Sequence, residues 1–132
     1  MIAGIGTDIV SVERVAAALE RHGARFAERV LTEGELAGFQ RANAGPGFLA
    51  RRFAAKEAAV KALGTGVACG IGLRDLEVLH DARGRPLLEF HGAARSRAAS
   101  LNVVERHLSI SDERGYAVAF VVLVSGEGGG DP

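Results

Sequence analysis

Glu57 and Lys61 stand four residues apart in an alanine-rich stretch, Phe48 to Leu63, that reads as a helix. That spacing projects a carboxylate and an ammonium from one side of the helix. A carboxylate can take a proton or hold a metal, and an ammonium can steady a phosphate, so the pair suits phosphoryl chemistry. A solvated ion pair explains the same spacing without any chemistry. Arg52 and Lys56 crowd the same segment and leave an excess of positive charge. Gly64-Thr65-Gly66 follows at once, with Gly70 and Gly72 beyond it. Cations beside a glycine-rich loop suit a polyphosphate ligand.

The distribution of basic residues sharpens this reading. Of 16 basic residues only Lys56 and Lys61 are lysine, so compact ammonium charges are concentrated where the helix meets the loop. Asp8 is the other isolated carboxylate. It reads either as a helix cap after the first strand or as a partner of Glu57 in holding magnesium, which commonly takes one or two carboxylates and completes its shell with water and phosphate. The glycine loop matches neither the Walker pattern nor the dinucleotide fingerprint. No histidine or cysteine group has zinc spacing, and Cys69 reads as incidental.

The elements that must position these residues follow from the hydrophobic pattern. Ile2 to Ile5 reads as a buried strand, and Ser11 to His22 as a helix closed by Gly23. Thr32-Glu33-Gly34-Glu35 has capping-box spacing and starts a helix over Glu33 to Arg41. Asn43 to Gly47 is a loop by its turn residues. On the long helix Leu49, Phe53, Val60 and Leu63 form an apolar stripe, and Lys56 falls inside it. A charge on an apolar stripe needs a partner or a function. Strands are expected at Leu73 to Leu79, Pro86 to Phe90, Val104 to Ser111 and Tyr116 to Val124, with a helix from Gly92 to Leu101. Leu108 and Ile110 alternate with His107, Ser109 and Ser111, so His107 reads as a core or sheet histidine, and the apolar run from Tyr116 suits a central strand. The order, with its hairpins, is that of an α+β domain.

At 132 residues the chain has room for one domain, taken as 1–125, with a glycine-rich tail over 126–132. Sixteen basic residues balance sixteen acidic ones, which argues against a general nucleic-acid binder. One cysteine cannot close an internal disulfide, and no apolar run reaches membrane-spanning length, so a cytoplasmic location is expected.

Three segments together resemble a known family. Ile5-Gly-Thr-Asp8-Ile-Val with Arg14, Arg52-Phe-Ala-Ala-Lys56-Glu57-Ala-Ala-Val-Lys61-Ala-Leu-Gly64-Thr-Gly66, and His107-Leu-Ser-Ile-Ser-Asp112-Glu-Arg-Gly-Tyr116-Ala are similar to segments of the holo-[acyl-carrier-protein] synthases, the small bacterial 4'-phosphopantetheinyl transferases. The resemblance implies a fold with a small, mainly antiparallel sheet packed on a long central helix. It also implies transfer of 4'-phosphopantetheine from coenzyme A to a serine of apo acyl carrier protein, in fatty acid biosynthesis. Asp8 and Glu57 match the magnesium ligands, and Lys61 the lysine beside the reacting phosphate. Arg52, Lys56, Gly64, Thr65, Gly66, Pro86 and His107 fall where the family contacts coenzyme A. Arg14 and Arg21 match the basic surface that receives the acidic carrier. The family's small members are homotrimers with sites between subunits. Asp112 departs from relatives that carry histidine in that segment, so no base is carried over there. A non-catalytic module that holds coenzyme A or another nucleotide is the alternative, and it would not need two separated carboxylates.

Overall fold

The computed structural model describes residues 1–64 and 70–126. Strand β1 (Ile2–Ser11) opens the chain, and helices α1 (Val12–His22), α2 (Ala24–Val30), α3 (Glu33–Arg41) and α4 (Pro46–Leu63) follow. A 3₁₀ turn (Leu73–Asp75) leads into the hairpin β2 (Leu76–His80) and β3 (Pro86–Phe90), then α5 (Gly92–Ser100), β4 (Val103–Glu113) and β5 (Tyr116–Ser125). Both sheets are antiparallel, one ordered β1-β5-β4 and the other β2-β3. The apolar strand expected at the centre, β5, is the central one.

Several expectations change. Ile2 and Ile5, read as part of a buried strand, are exposed on β1, and Leu73–Asp75, read as the start of a strand, is a 3₁₀ turn. The first strand does not stop before Asp8 but continues to Ser11, and Ser11 is the residue that caps α1, accepting from the Arg14 backbone N–H at 3.3 Å. Asp8 is therefore a strand residue and not a cap. Helix α2 was not expected, because Gly23 reads as a stop. It does stop α1, with φ at +59°, and α2 starts one residue later. The capping box at Thr32 and Glu35 is present as its spacing predicts.

Helix α4 is the axis of the domain. Its apolar stripe is wider than the sequence suggests: Leu49, Ala50, Ala54, Ala55, Ala58, Ala59, Ala62 and Leu63 are all buried. The alanines let neighbours approach closely on several sides, which is why a helix with few large side chains fills the core. β1 comes closest. A methyl group at Gly4 would run into the Ala62 carbonyl, and one at Gly6 into the Ala58 carbonyl. Gly4, Gly6 and Asp8 share one face of β1 by strand alternation. The glycines thus bring the strand against α4, and the next residue in that row is Asp8.

Candidate active site

Asp8 and Lys61 meet as that packing requires. The Lys61 ammonium donates to Asp8 Oδ1 at 3.1 Å and to the Thr7 carbonyl at 2.9 Å. Glu57, one turn back on α4, faces the same cleft of about 480 Å³, lined by Asp8, Arg14, Val15, Phe26, Phe53 and Glu57 among others. Partial burial, and then the like charge of Asp8, push the Glu57 carboxyl above its ordinary value, while Lys61 opposes the shift. Two carboxylates that feel each other's charge, with one ammonium between elements, make a site that a further cation would relieve.

The donor set fits magnesium in one particular way. Among the described residues no group of three or more His, Cys, Asp or Glu side chains converges to hold a metal. Magnesium seldom uses a cage made only of protein; it takes one or two carboxylates and keeps water and phosphate oxygens. Asp8 and Glu57 supply that pair.

The other expected contacts are distributed differently. Lys56 is fully buried. Its ammonium lies 2.5 Å from Glu35 Oε1 and 2.6 Å from the Val30 carbonyl, so it faces the core and offers nothing to a ligand in this structure. This corrects its reading as a coenzyme A contact. Burial lowers its pKa and Glu35 opposes that. Glu35 also accepts from the Thr32 and Val78 backbone N–H groups, both at 2.8 Å. Sequence reasoning saw Glu35 only as a capping residue, and nothing in its spacing signals the second role.

Arg52 lies on another face of α4, over the Phe48 ring at 4.2 Å. Its Nε is buried and makes no hydrogen bond among the described residues. It borders a second cavity of about 320 Å³ with Phe48, Glu35 and His80. Pro86 pairs with His80 across the hairpin, so Arg52 and Pro86 belong to this side of the molecule. His107 is half-exposed on β4 opposite Val122, on the face of the sheet away from Asp8, which sits opposite buried Ala119. Within one chain the sheet separates His107 from the Asp8 cleft. Gly64 closes α4 in the left-handed region, with φ at +78°. Thr65 and Gly66 lie outside the described residues. Arg14 lines the cleft, and Arg21 is exposed further along α1.

The model of the 4'-phosphopantetheinyl transferase superfamily matches residues 4–121 of this chain. The chain belongs to that superfamily. A holo-[acyl-carrier-protein] synthase of Halorhodospira halophila is 66% identical over 126 residues, covering 96% of this chain and 100% of that protein. The crystal structure of the holo-[acyl-carrier-protein] synthase from Neisseria meningitidis matches with a TM-score of 0.88 at 41% identity, over 95% of this chain and 100% of that one. The synthase from Bacillus anthracis, solved in complex with CoA (3',5'-ADP), matches with a TM-score of 0.77 at 40% identity, over 96% of this chain and 99% of that one. The α+β architecture expected from the resemblance is therefore that of the superfamily. Asp8, Glu57 and Lys61 lie together at the β1–α4 seam of this transferase. No described helix is long and apolar enough to cross a membrane.

Proposed function

We propose that this chain transfers 4'-phosphopantetheine from coenzyme A to a serine of apo acyl carrier protein, leaving adenosine 3',5'-bisphosphate, in the cytoplasm and in the service of fatty acid synthesis. The observation that carries the reading is the cleft that Asp8 and Glu57 line together, with Lys61 hydrogen-bonded to Asp8.

The roles follow from charge. The carrier serine oxygen attacks the phosphorus that bears pantetheine, and its proton passes to Glu57. Glu57 lines the cleft beside Asp8 and is the carboxylate placed to take that proton, directly or through a water. The bond from that phosphorus to the oxygen of the nucleotide phosphate breaks, and the charge on the leaving oxygen is met by Lys61. That lysine is more than half exposed, free to exchange Asp8 and the Thr7 carbonyl for a phosphate oxygen. Magnesium held by Asp8 and Glu57 would supply neutralisation of the phosphate charges. Arg14, at the cleft edge, and Arg21, one face along α1, receive the acidic carrier.

The chain works as a homotrimer. The outer face of the larger sheet exposes Ile5, Ile9, Val118 and Phe120, a contiguous apolar surface that a second copy would cover. Assembly also explains how His107 and Pro86 contribute: they serve the cleft of a neighbouring copy, because the chain's own sheet keeps His107 from its own Asp8.

Intact mass of apo acyl carrier protein, incubated with this protein, coenzyme A and magnesium, tests the reading. A gain of about 340 Da that EDTA abolishes is the expected result. Coenzyme A binding without any gain, across several carriers, would replace it with the non-catalytic module.

A further inference from the structure

The two sheets of the domain share no backbone ladder. β4 pairs only with β5 and β3 only with β2, and the two strands pack side by side without pairing. Edges left open in this way need another tie. Arg106 of β4 supplies it. Its Nε donates to the Leu88 carbonyl of β3 at 2.5 Å, the one hydrogen bond between the two sheets among the described residues. Its guanidinium lies over the Phe90 ring at 5.2 Å, and Leu88 and Phe90 are both buried. The seam is open on either side of the arginine. It lines a cavity of about 400 Å³ toward α5 and another of about 350 Å³ toward Leu79 and Leu87. The other strand of the hairpin, β2, is held from α3 instead. There Glu35 accepts from the Val78 N–H at 2.8 Å, and the Thr32 hydroxyl donates to Glu77 at 3.0 Å.

We propose that Arg106 is a positioning residue for coenzyme A, fixing the spacing between His107 on β4 and Pro86 on β3. The inference rests on the transfer reading above, in which both residues of one chain serve a neighbour's cleft, and adds to it what holds them in register. His107 is the next residue along β4 and points to the opposite face, and Pro86 stands two residues before Leu88 on β3. The tie is therefore made within a residue or two of each contact. A ligand that reaches both would otherwise have to order the hairpin against the sheet as it binds, and that ordering weakens affinity. Arg106 acts through these two residues and takes no part in the chemistry.

Calorimetry of coenzyme A binding, paired with steady-state kinetics, tests this on Arg106→Met, Arg106→Lys, Arg95→Met and His107→Ala. Arg106→Met keeps an unbranched stem in the seam and removes the donor, whereas Arg106→Lys keeps a donor. Arg95 is exposed on α5 at the rim of the same cavity and controls for lost charge. The expected result is a rise of about fivefold in Kd and KM for coenzyme A in Arg106→Met, the size of one hydrogen bond to a charged group. Carrier KM stays unchanged, Arg106→Lys recovers most of the loss, and Arg95→Met behaves as wild type. With His107→Ala already present, Arg106→Met should add less than about twofold, because a single remaining contact has no spacing to lose. Coenzyme A binding within about twofold of wild type in Arg106→Met overturns the proposal. So does the full loss appearing again in the His107→Ala background, or a parallel rise in both KM values with a fallen Tm, the mark of a merely structural residue. A wild type that binds coenzyme A but modifies no carrier sinks the transfer reading while calorimetry still decides the role of Arg106. A wild type that binds no coenzyme A overturns both.

Discussion

Lys56 and Glu35 form a buried ion pair, ammonium to carboxylate oxygen at 2.5 Å, that joins α4 to α3 through the middle of the domain. The lysine is fully enclosed and Glu35 nearly so, and the remaining carboxylate capacity is filled by two backbone N–H groups. Such a pair stabilises only because every member is hydrogen-bonded, since desolvating two charges is otherwise unfavourable. Lys56 and Glu57, adjacent in sequence, thus have opposite duties: one points into the core and holds α4, the other points into the cleft.

Removing one partner should therefore be far worse than removing both. Lys56→Ala is expected to destabilise by about 3–5 kcal/mol, because it strands the Glu35 carboxylate in the core. The double variant Lys56→Met, Glu35→Gln should recover more than half of that loss. Urea unfolding of the two variants checks it; equal losses would mean that the stranded carboxylate is not what makes the single variant worse.

Glu57 should show the reverse trade. Its folded carboxyl is shifted above the unfolded value, so proton uptake favours the folded state. The stability from that shift is complete below the unfolded pKa and lost as pH rises through the folded one. At neutral pH the charged Glu57 is thus a liability, and Glu57→Gln should raise Tm while reducing transfer by at least about 100-fold. The gain in Tm should vanish in acid. A variant that loses stability at neutral pH would contradict the electrostatic account.

Much of this was legible in the residues. The capping box at Thr32, the left-handed glycine after α4 and the alternation that set His107 opposite Leu108 are local rules, and each appears in the fold. Lys56 stood out as a charge on an apolar stripe, but its partner comes from 21 residues away, and no local rule pairs it with Glu35. Helix α2, at seven residues, is too short to carry a periodic signal. The first strand reads as giving way to a helix at Asp8, and only its long-range pairing with β5 as far as Ser11 shows that it runs on. The site's division between two faces of the sheet is likewise a matter of tertiary packing.

That approach gives a sharp test at Gly6. Gly6→Ala would force β1 away from the Ala58 carbonyl and draw Asp8 off Lys61. Overpacking of this kind costs about 1–3 kcal/mol. Transfer should fall well beyond what the unfolded fraction explains, because Asp8 is one strand step away. Activity that tracks the folded fraction alone would show that the seam tolerates the shift.

Carrier docking should depend on salt. Arg21 stands exposed on α1 and Arg14 edges the cleft, so their attraction for an acidic partner is screened beyond about 8–10 Å at physiological ionic strength. Arg14→Ala and Arg21→Ala should each raise carrier KM several-fold, leave coenzyme A KM unchanged, and flatten the dependence of carrier KM on salt. Unchanged carrier KM in both would move the docking surface elsewhere.

Phe120 tests the assembly. It lies on the outer face of β5, 45% exposed, between Thr7 of β1 and Ser109 of β4. A charge there would be buried without a partner if a second copy covers the sheet, and a buried unpaired charge is strongly unfavourable. Phe120→Glu should therefore shift the protein from trimer to monomer in light scattering while each chain stays folded, since the side chain touches solvent in the isolated chain. Transfer should be lost with it, because His107 and Pro86 would no longer reach a neighbour's cleft. A monomeric variant that keeps full activity would place the complete site within one chain and return His107 to a structural role.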